Sequence, residues 1–234
     1  PPAAEPAPPP APEAELLPGA EPPAPAPTAD AAFGGQWQAT FSVWRLYGIS
    51  VDSAEVQTGV DPQSGAAVYK RLDSTTVSLL GTDAPLPYGV PRLAGDLFVL
   101  PNLSVGGAAM YVRRTLDGKD ASSVLVLTPR IGYGTALSDL FSIWVLGGMT
   151  YSRRERTVLQ FASGSAETRS SQLVETGLAA TLDAMLIVTP RGPFGFLVGP
   201  AADIGFGGNK RTASSTRTYG LLGGLVAWLP PPWL

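Results

Sequence analysis

The chain has 234 residues, with 16 basic and 19 acidic side chains, 27 glycines, 24 prolines, and neither cysteine nor histidine. Without cysteine there are no disulfide bonds, no thiol catalysis and no cysteine zinc sites. The lack of histidine removes the most common general base and metal ligand, so we expect no cofactor and no metal. A net charge of −3 does not suggest nucleic-acid binding. No apolar run is long enough for a transmembrane helix.

The first 33 residues differ in composition from the rest. They are rich in Pro and Ala, proline cannot donate a ladder hydrogen bond, and their charged side chains are all acidic. We predict a disordered, polyproline-like linker over 1–33 and one β-sheet body over 34–234. Because no charged start followed by an apolar run is present, we expect the sequence to begin after a removed signal peptide.

Alternation of polar and apolar residues predicts an all-β body of eight strands. The first runs from Gly35 to Ile49, with Phe41 and Val43 on one face and Thr40 and Ser42 on the other. The remaining strands are predicted over 90–100, 104–114, 123–134, 141–152, 171–188, 194–206 and 218–229. Pro129 lies inside the fourth and deletes a ladder hydrogen bond, so we expect a bulge or a local break there.

The predicted connections alternate in length. Those over 101–103, 135–140 and 189–193 are short, whereas those over 50–89, 115–122, 153–170 and 207–217 are longer and polar. Short turns at one end and long loops at the other are typical of an outer-membrane barrel. The segment 50–89 is interpreted as a loop with an internal hairpin or strand extension. A full hairpin there would give ten strands and a wider lumen.

The hairpin over 90–112 indicates which face of the strands carries charge. Leu93 and Leu97 share one face, whereas Arg92 and Asp96 lie on the other. A soluble sandwich keeps its apolar face inside, but a membrane barrel turns that face to lipid. An Arg facing lipid at mid-depth would cost about 2–4 kcal/mol, so we place the strand charges in the lumen. The predicted lumen ion network is Arg92, Asp96, Arg130, Glu175, Asp183 and Asp203.

An eight-stranded barrel is only wide enough to be filled by its own side chains. The network is therefore expected to plug the lumen and hold the barrel together. A proton or ion path along these residues is the less favoured reading.

Aromatic residues group near the ends of the predicted strands, as expected for belts at two membrane interfaces. At the long-loop end these are Tyr47, Tyr111, Tyr151, Phe206 and Tyr219. At the short-turn end they are Trp37, Phe141, Phe194, Phe196 and Trp228.

Basic residues concentrate at the long-loop end. Arginine pairs well with phosphate, and outer-leaflet lipopolysaccharide carries phosphates. The candidate lipopolysaccharide contacts are Arg113, Arg114, Arg153, Arg154 and Arg156. The alternative is that loops simply hold solvated charge.

Several segments resemble small bacterial outer-membrane β-barrel proteins and, more broadly, the eight-stranded barrel domain of outer-membrane protein A. They are WQATFSVWRLYGIS, PYGVPRLAGDLFVLPNLSVGGAAMY, VLTPRIGYGTALSDLFSIWVLGGMTY and FLVGPAADIGF. The resemblance spans residues 35–229. It implies an eight-stranded up-and-down transmembrane barrel in the outer membrane with a scaffold, adhesion or envelope role. Such barrels usually end on an aromatic residue, whereas here Trp228 and Leu229 are followed by further residues.

The favoured function is a non-enzymatic integral outer-membrane barrel with a plugged lumen and a periplasmic N-terminal tail. Its expected partners are membrane lipid, lipopolysaccharide and an envelope or extracellular protein bound through 50–89 and 153–170. One alternative is a ten-stranded porin. Others are a soluble lipid-binding barrel, whose interior should be apolar, and a lipid-modifying enzyme, which would need a serine activated without histidine.

Overall fold

The computed structural model describes residues 33–79, 90–116, 119–161, 168–190, 192–210 and 214–229. Within these ranges the chain forms nine antiparallel strands. They are β1 Ala39–Val60, β2 Ala67–Leu79, β3 Arg92–Leu100, β4 Leu103–Leu116, β5 Lys119–Ala136, β6 Phe141–Phe161, β7 Thr168–Val188, β8 Phe194–Gly208 and β9 Arg217–Leu229. The predicted linker, apart from Phe33, lies outside the described residues.

The sheet closes into a ring because β1 pairs with β9. On its other edge β1 pairs with β3 from Ala39 to Trp44 and with β2 from Tyr47 to Val60. β2 and β3 therefore occupy one position in the wall, one above the other, and the described strands fill eight positions. The predicted up-and-down barrel is confirmed. The 50–89 segment does contain a hairpin, but that hairpin does not add a ninth and tenth position.

The outside of the barrel is apolar and the inside is mixed. Along β3 the exposed residues alternate with buried ones, and Leu93 and Leu97 point outward while Arg92 and Asp96 point inward. Large apolar side chains such as Leu221 and Ile131 are about 60% exposed on the outer surface. A soluble protein would cover residues of this size, so this distribution is that of a barrel surrounded by lipid.

The strands extend further at one end than the sequence predicts. The segments 115–122 and 153–170, predicted as loops, belong largely to the β4–β5 and β6–β7 hairpins. Beyond the bilayer both faces of a strand meet water, so the alternation that marks a half-buried strand disappears while hydrogen bonding continues. We call this side the long-hairpin end and the opposite side the short-turn end.

The short-turn half of the interior is apolar. Its buried residues include Phe33, Phe98, Trp144, Met185, Ile187, Leu197, Val226 and Trp228. Phe33 is 4% exposed and belongs to the apolar core, one residue before the predicted start of the β-sheet body at 34. Composition placed Phe33 in the linker because its neighbours are small residues, yet its ring packs among large apolar side chains.

Pro129 does not shift the register of its strand. Pairing of β5 with β6 stops at Leu127 and resumes at Arg130 in the same register, so the expected irregularity is a local break. On the β4 side Pro129 pairs with Gly107 without interruption.

Candidate functional site: the buried ionic network

Arg45 lies at the centre of the charged part of the lumen. Its guanidinium donates to the carboxylate of Asp203 and, at 3.2 Å, to that of Asp183. The three side chains are at most 3% exposed. They come from β1, β7 and β8, so this contact joins β1 to two strands that are not its neighbours in the wall.

A bulge in β1 turns Arg45 inward. The register with β9 shifts between Val43 and Tyr47, and Arg45 has a positive φ of 63°. Trp44 and Arg45 are consequently both buried, which strict alternation forbids. The bulge places an arginine in the lumen that would otherwise face lipid from mid-strand.

A chain of threonine hydroxyls connects Arg92 to the same carboxylates. Arg92 donates to the hydroxyl oxygens of Thr128 at 2.9 Å and Thr150 at 3.1 Å. Thr150 is 2.6 Å from Thr181, and the Thr181 hydroxyl donates to Asp203 at 2.6 Å. Arg92 also lies 3.8 Å from Asp203. This series of hydrogen bonds connects β5, β6, β7 and β8 and fixes the positions of these strands relative to one another along the barrel axis.

A second ion pair lies nearer the short-turn end. The Arg130 guanidinium donates to both carboxylate oxygens of Asp96, at 2.9 and 2.5 Å. It also lies 5.3 Å from the ring centre of Trp144. A bidentate contact of this kind is strong and directional. Because Trp144 belongs to the apolar half of the lumen, Arg130 links the two halves.

Of the six residues predicted for the lumen network, the structure brings together Arg92, Asp96, Arg130, Asp183 and Asp203. Glu175 lies apart, near the long-hairpin end, where it pairs with Arg156 at 3.2 Å. Its strand continues beyond the buried region, so its face meets solvent. Two of the buried charged residues among the described strands were not predicted for the network. Arg45 needs the bulge, and Asp52, which accepts from Thr218 at 2.7 Å, falls in the segment interpreted as a loop.

Most of the predicted aromatic belt residues face outward. Trp37, Tyr111, Phe141, Phe194, Phe196, Phe206 and Tyr219 are between 39% and 59% exposed. Tyr151 and Tyr47 are partly exposed, and Tyr47 lies near the middle of β1 because that strand is longer than predicted. Trp228 differs from the prediction. It shares the inward face of Val226 and packs against Phe33 with ring centres 5.4 Å apart.

The five arginines predicted to contact lipopolysaccharide divide between the two faces of the wall. Arg113 and Arg153 point outward, and Arg153 pairs with Glu155 at 2.5 Å. Arg154 and Arg156 share the inward face of Ser152. Arg114 lies in β4, and its side chain is outside the described part. A polar groove of about 200 Å³ lies at this end, lined by Tyr111, Arg113, Ser122, Ser123, Glu155, Arg156, Thr157 and Gln172.

The β1–β2 hairpin ends in a structured turn. The Asp61 carboxylate accepts hydrogen bonds from the backbone N–H of Gln63 and the hydroxyl of Ser64, both under 3 Å. These bonds favour the ionised carboxylate and hold the pKa of Asp61 below its usual range.

The described residues contain no group of acidic side chains suited to a metal ion. They also contain no helix long and apolar enough to cross a membrane.

Most of the buried charges are paired with one another. Among the described strands, Arg45, Arg92 and Arg130 balance Asp96, Asp183 and Asp203, and each has a hydrogen-bonding or ionic partner inside the lumen. Asp52 is a further buried acid and accepts a hydrogen bond from the Thr218 hydroxyl. Groups held in this way link separate strands of the wall. Fold and interior together define the class of protein, a small transmembrane β-barrel filled by its own side chains.

No protein-family model matches the chain. A search of curated proteins likewise finds no match.

Three solved structures have a similar course of the chain. Ail, the attachment invasion locus protein of Yersinia pestis, is 12% identical, covering 83% of this chain and 99% of its own, with a TM-score of 0.41. Neisserial surface protein A is 8% identical, with coverages of 81% and 96% and a TM-score of 0.46. The protease OmpT of Escherichia coli is 9% identical, with coverages of 85% and 98% and a TM-score of 0.32. These identities are too low to transfer an activity.

Proposed function

We propose that the protein is a non-enzymatic integral protein of the bacterial outer membrane. Its short turns and N-terminal tail face the periplasm, and its long hairpins face outward. The observation that carries this proposal is the distribution of side chains, with apolar residues outside and paired charges inside. A soluble lipid-binding barrel would show the reverse, since its ligand needs an apolar interior.

Two features support a lumen that does not conduct. The described strands fill eight ring positions, a number at which side chains fill the interior. The charged network and the aromatic cluster occupy successive levels of that interior. Both features speak against the ten-stranded porin.

The chain offers little support for lipid-modifying chemistry. A serine nucleophile without histidine would need a lysine or a carboxylate as its base. The buried carboxylates already accept bonds from arginine or threonine, and Lys70 and Lys210 are solvent-exposed. The proposed role is therefore recognition or support of the envelope.

We further propose that Arg113 and Arg153 contact phosphate groups of the outer leaflet. Both point outward, one step above the exposed rings of Tyr111 and Tyr151 on the same strands. An arginine directly above an aromatic belt lies at the height of lipid headgroups. The polar groove beside Arg113 and the exposed β1–β2 hairpin are the surfaces proposed for an extracellular partner.

The test is refolding of the full chain in detergent, followed by gel electrophoresis with and without boiling. We expect a compact band that shifts on heating, and no single-channel conductance in planar bilayers. A chain that is soluble and monomeric without detergent would contradict the membrane assignment. Steady conductance by the folded band would contradict the closed lumen.

A further inference from the structure

We propose that residues 33–38 form a plug that seals the periplasmic mouth of the barrel and keeps the ionic network dry. The orientation rests on the proposed function, because it takes the short-turn end to be periplasmic. The sealing itself is argued from contacts within the chain.

The ring of Phe33 fills the centre of the mouth. Its centroid lies 5.2 Å from that of Phe98 and 5.4 Å from those of Trp144 and Trp228. The interplanar angles are 84°, 70° and 75°, so all three contacts are edge-to-face, the arrangement that aromatic quadrupoles favour. The three partners come from β3, β6 and β9. One side chain thus bridges widely separated parts of the wall.

The backbone after Phe33 is fixed against the β3–β4 turn. The N–H of Asn102 donates to the carbonyl of Gly34 at 2.9 Å, and the N–H of Gly34 donates to the Gln38 side chain at 2.9 Å. The N–H of Trp37 donates to the carbonyl of Phe98 at 2.6 Å. The segment is therefore docked by hydrogen bonds as well as by ring packing.

Gly34 permits this close approach. Its φ is +95°, and a Cβ added there would lie 2.5 Å from the carbonyl oxygen of Gly134. Any larger residue must move the segment away from the wall. A glycine directly after Phe33 is what allows the ring to enter the lumen.

Above the plug lies Arg130, whose guanidinium is 5.3 Å from the ring centre of Trp144 and pairs with Asp96. An ion pair is much stronger when water is kept away from it. Removal of the Phe33 ring is expected to let periplasmic water reach this pair and the rest of the network.

The absence of native cysteine allows a direct measurement. Ala108 is a small, buried, inward residue that pairs with Thr128 in the wall of the ionic network. The A108C protein is reconstituted in vesicles with a charged, membrane-impermeant thiol reagent on both sides of the membrane, and the rate of modification reports access to the network. Access from the long-hairpin end adds the same rate in every variant, so an increase in rate between variants reports access through the short-turn end.

The test compares F33A with F41A in the A108C background. Both replace Phe with Ala, but Phe41 is 57% exposed on the lipid side. We expect modification at least tenfold faster in F33A and unchanged in F41A. G34A should behave as F33A, because its Cβ displaces the same segment. A folded F33A protein modified at the unsubstituted rate would overturn the plug.

The heat-modifiable band shows for each variant whether the barrel has formed. If F33A does not fold, F33L decides, because it keeps an apolar side chain but lacks the ring. Faster modification of folded F33L supports the plug, and an unchanged rate contradicts it. The band tests the proposed membrane barrel, and the rate ratio between folded variants tests the seal, so the two can fail separately.

Discussion

Arg45, at the bulge of β1, meets two buried carboxylates, from Asp183 and Asp203. In R45A these carboxylates would lose their principal counter-charge inside the lumen. Breaking a buried pair by removing one partner typically costs about 3–5 kcal/mol. We expect a loss of that size in the free energy of unfolding, measured by urea titration in lipid vesicles.

The matched control for R45A is R153A. Arg153 also pairs with a carboxylate, that of Glu155, but its side chain is 50% exposed. Exposed pairs contribute about 0–1 kcal/mol, so R153A should leave unfolding nearly unchanged. Equal effects of the two substitutions would show that the lumen is solvated.

The membership of the network was only partly predictable from the residues. Arg92, Asp96 and Arg130 follow from alternation along strands whose other face is apolar. Arg45 does not, since alternation from Val43 places it on the lipid side. The sequence nevertheless contains a sign of the bulge. An arginine that faces lipid at mid-depth is energetically costly, so the position of Arg45 on the lipid-facing side of the alternation indicates a bulge in its strand. Trp228 was misplaced because aromatic residues suit both a belt and a core.

At the scale of elements, the β1–β9 seam is the contact that closes the ring. Tyr47 of β1 lies over Gly223 of β9, and its hydroxyl donates to the carbonyl of Leu197 in β8 at 3.2 Å. A Cβ on Gly223 would lie 2.1 Å from Cε2 of the tyrosine ring. In G223A the ring must swing away and lose this hydrogen bond.

We expect G223A to lower the free energy of unfolding by about 1–3 kcal/mol, the usual range for overpacking. G147A is the control, since Gly147 also faces outward but has open space at its Cβ position. In a Y47A background the added methyl meets no ring, so the cost of G223A should largely vanish. A cost that persists without Tyr47 would show that the ring is not its cause.

Element boundaries at the long-hairpin end could not be predicted for a physical reason. Residues 153–157 continue β6, although their side chains are charged or polar on both faces. A strand above the bilayer is held by its neighbours in the hairpin and needs no apolar face. The short turns were easier to locate, because lipid-facing alternation runs almost to their first residue.

For the whole molecule, tryptophan fluorescence can show which tryptophans face lipid and which lie inside the barrel. Trp37 is 44% exposed on the lipid side, whereas Trp44, Trp144 and Trp228 are at most 4% exposed inside the barrel. In a W233F background, lipids brominated on their chains should quench mainly Trp37. W37F should remove most of this quenching and W144F very little. Strong quenching that survives W37F would place the interior tryptophans against lipid.

The fold class was predictable because the membrane imposes the same alternation on every strand, so errors at single positions do not change the result. The plug was not predictable, because Phe33 stands alone among small residues and its partners are far away in sequence.

In the described part of the chain, the two partners of a buried ion pair never lie on the same hairpin. Arg45 pairs with residues 138 and 158 positions away, and Asp96 with a residue 34 positions away across β4. A hairpin entering the bilayer by itself would carry its charge unpaired into hydrocarbon. These ion pairs stabilise the barrel only when the ring is nearly complete, because Arg45 meets its carboxylate partners only after β1, β7 and β8 have come together. The chain is therefore built to be assembled as a closed cylinder, with insertion coupled to closure.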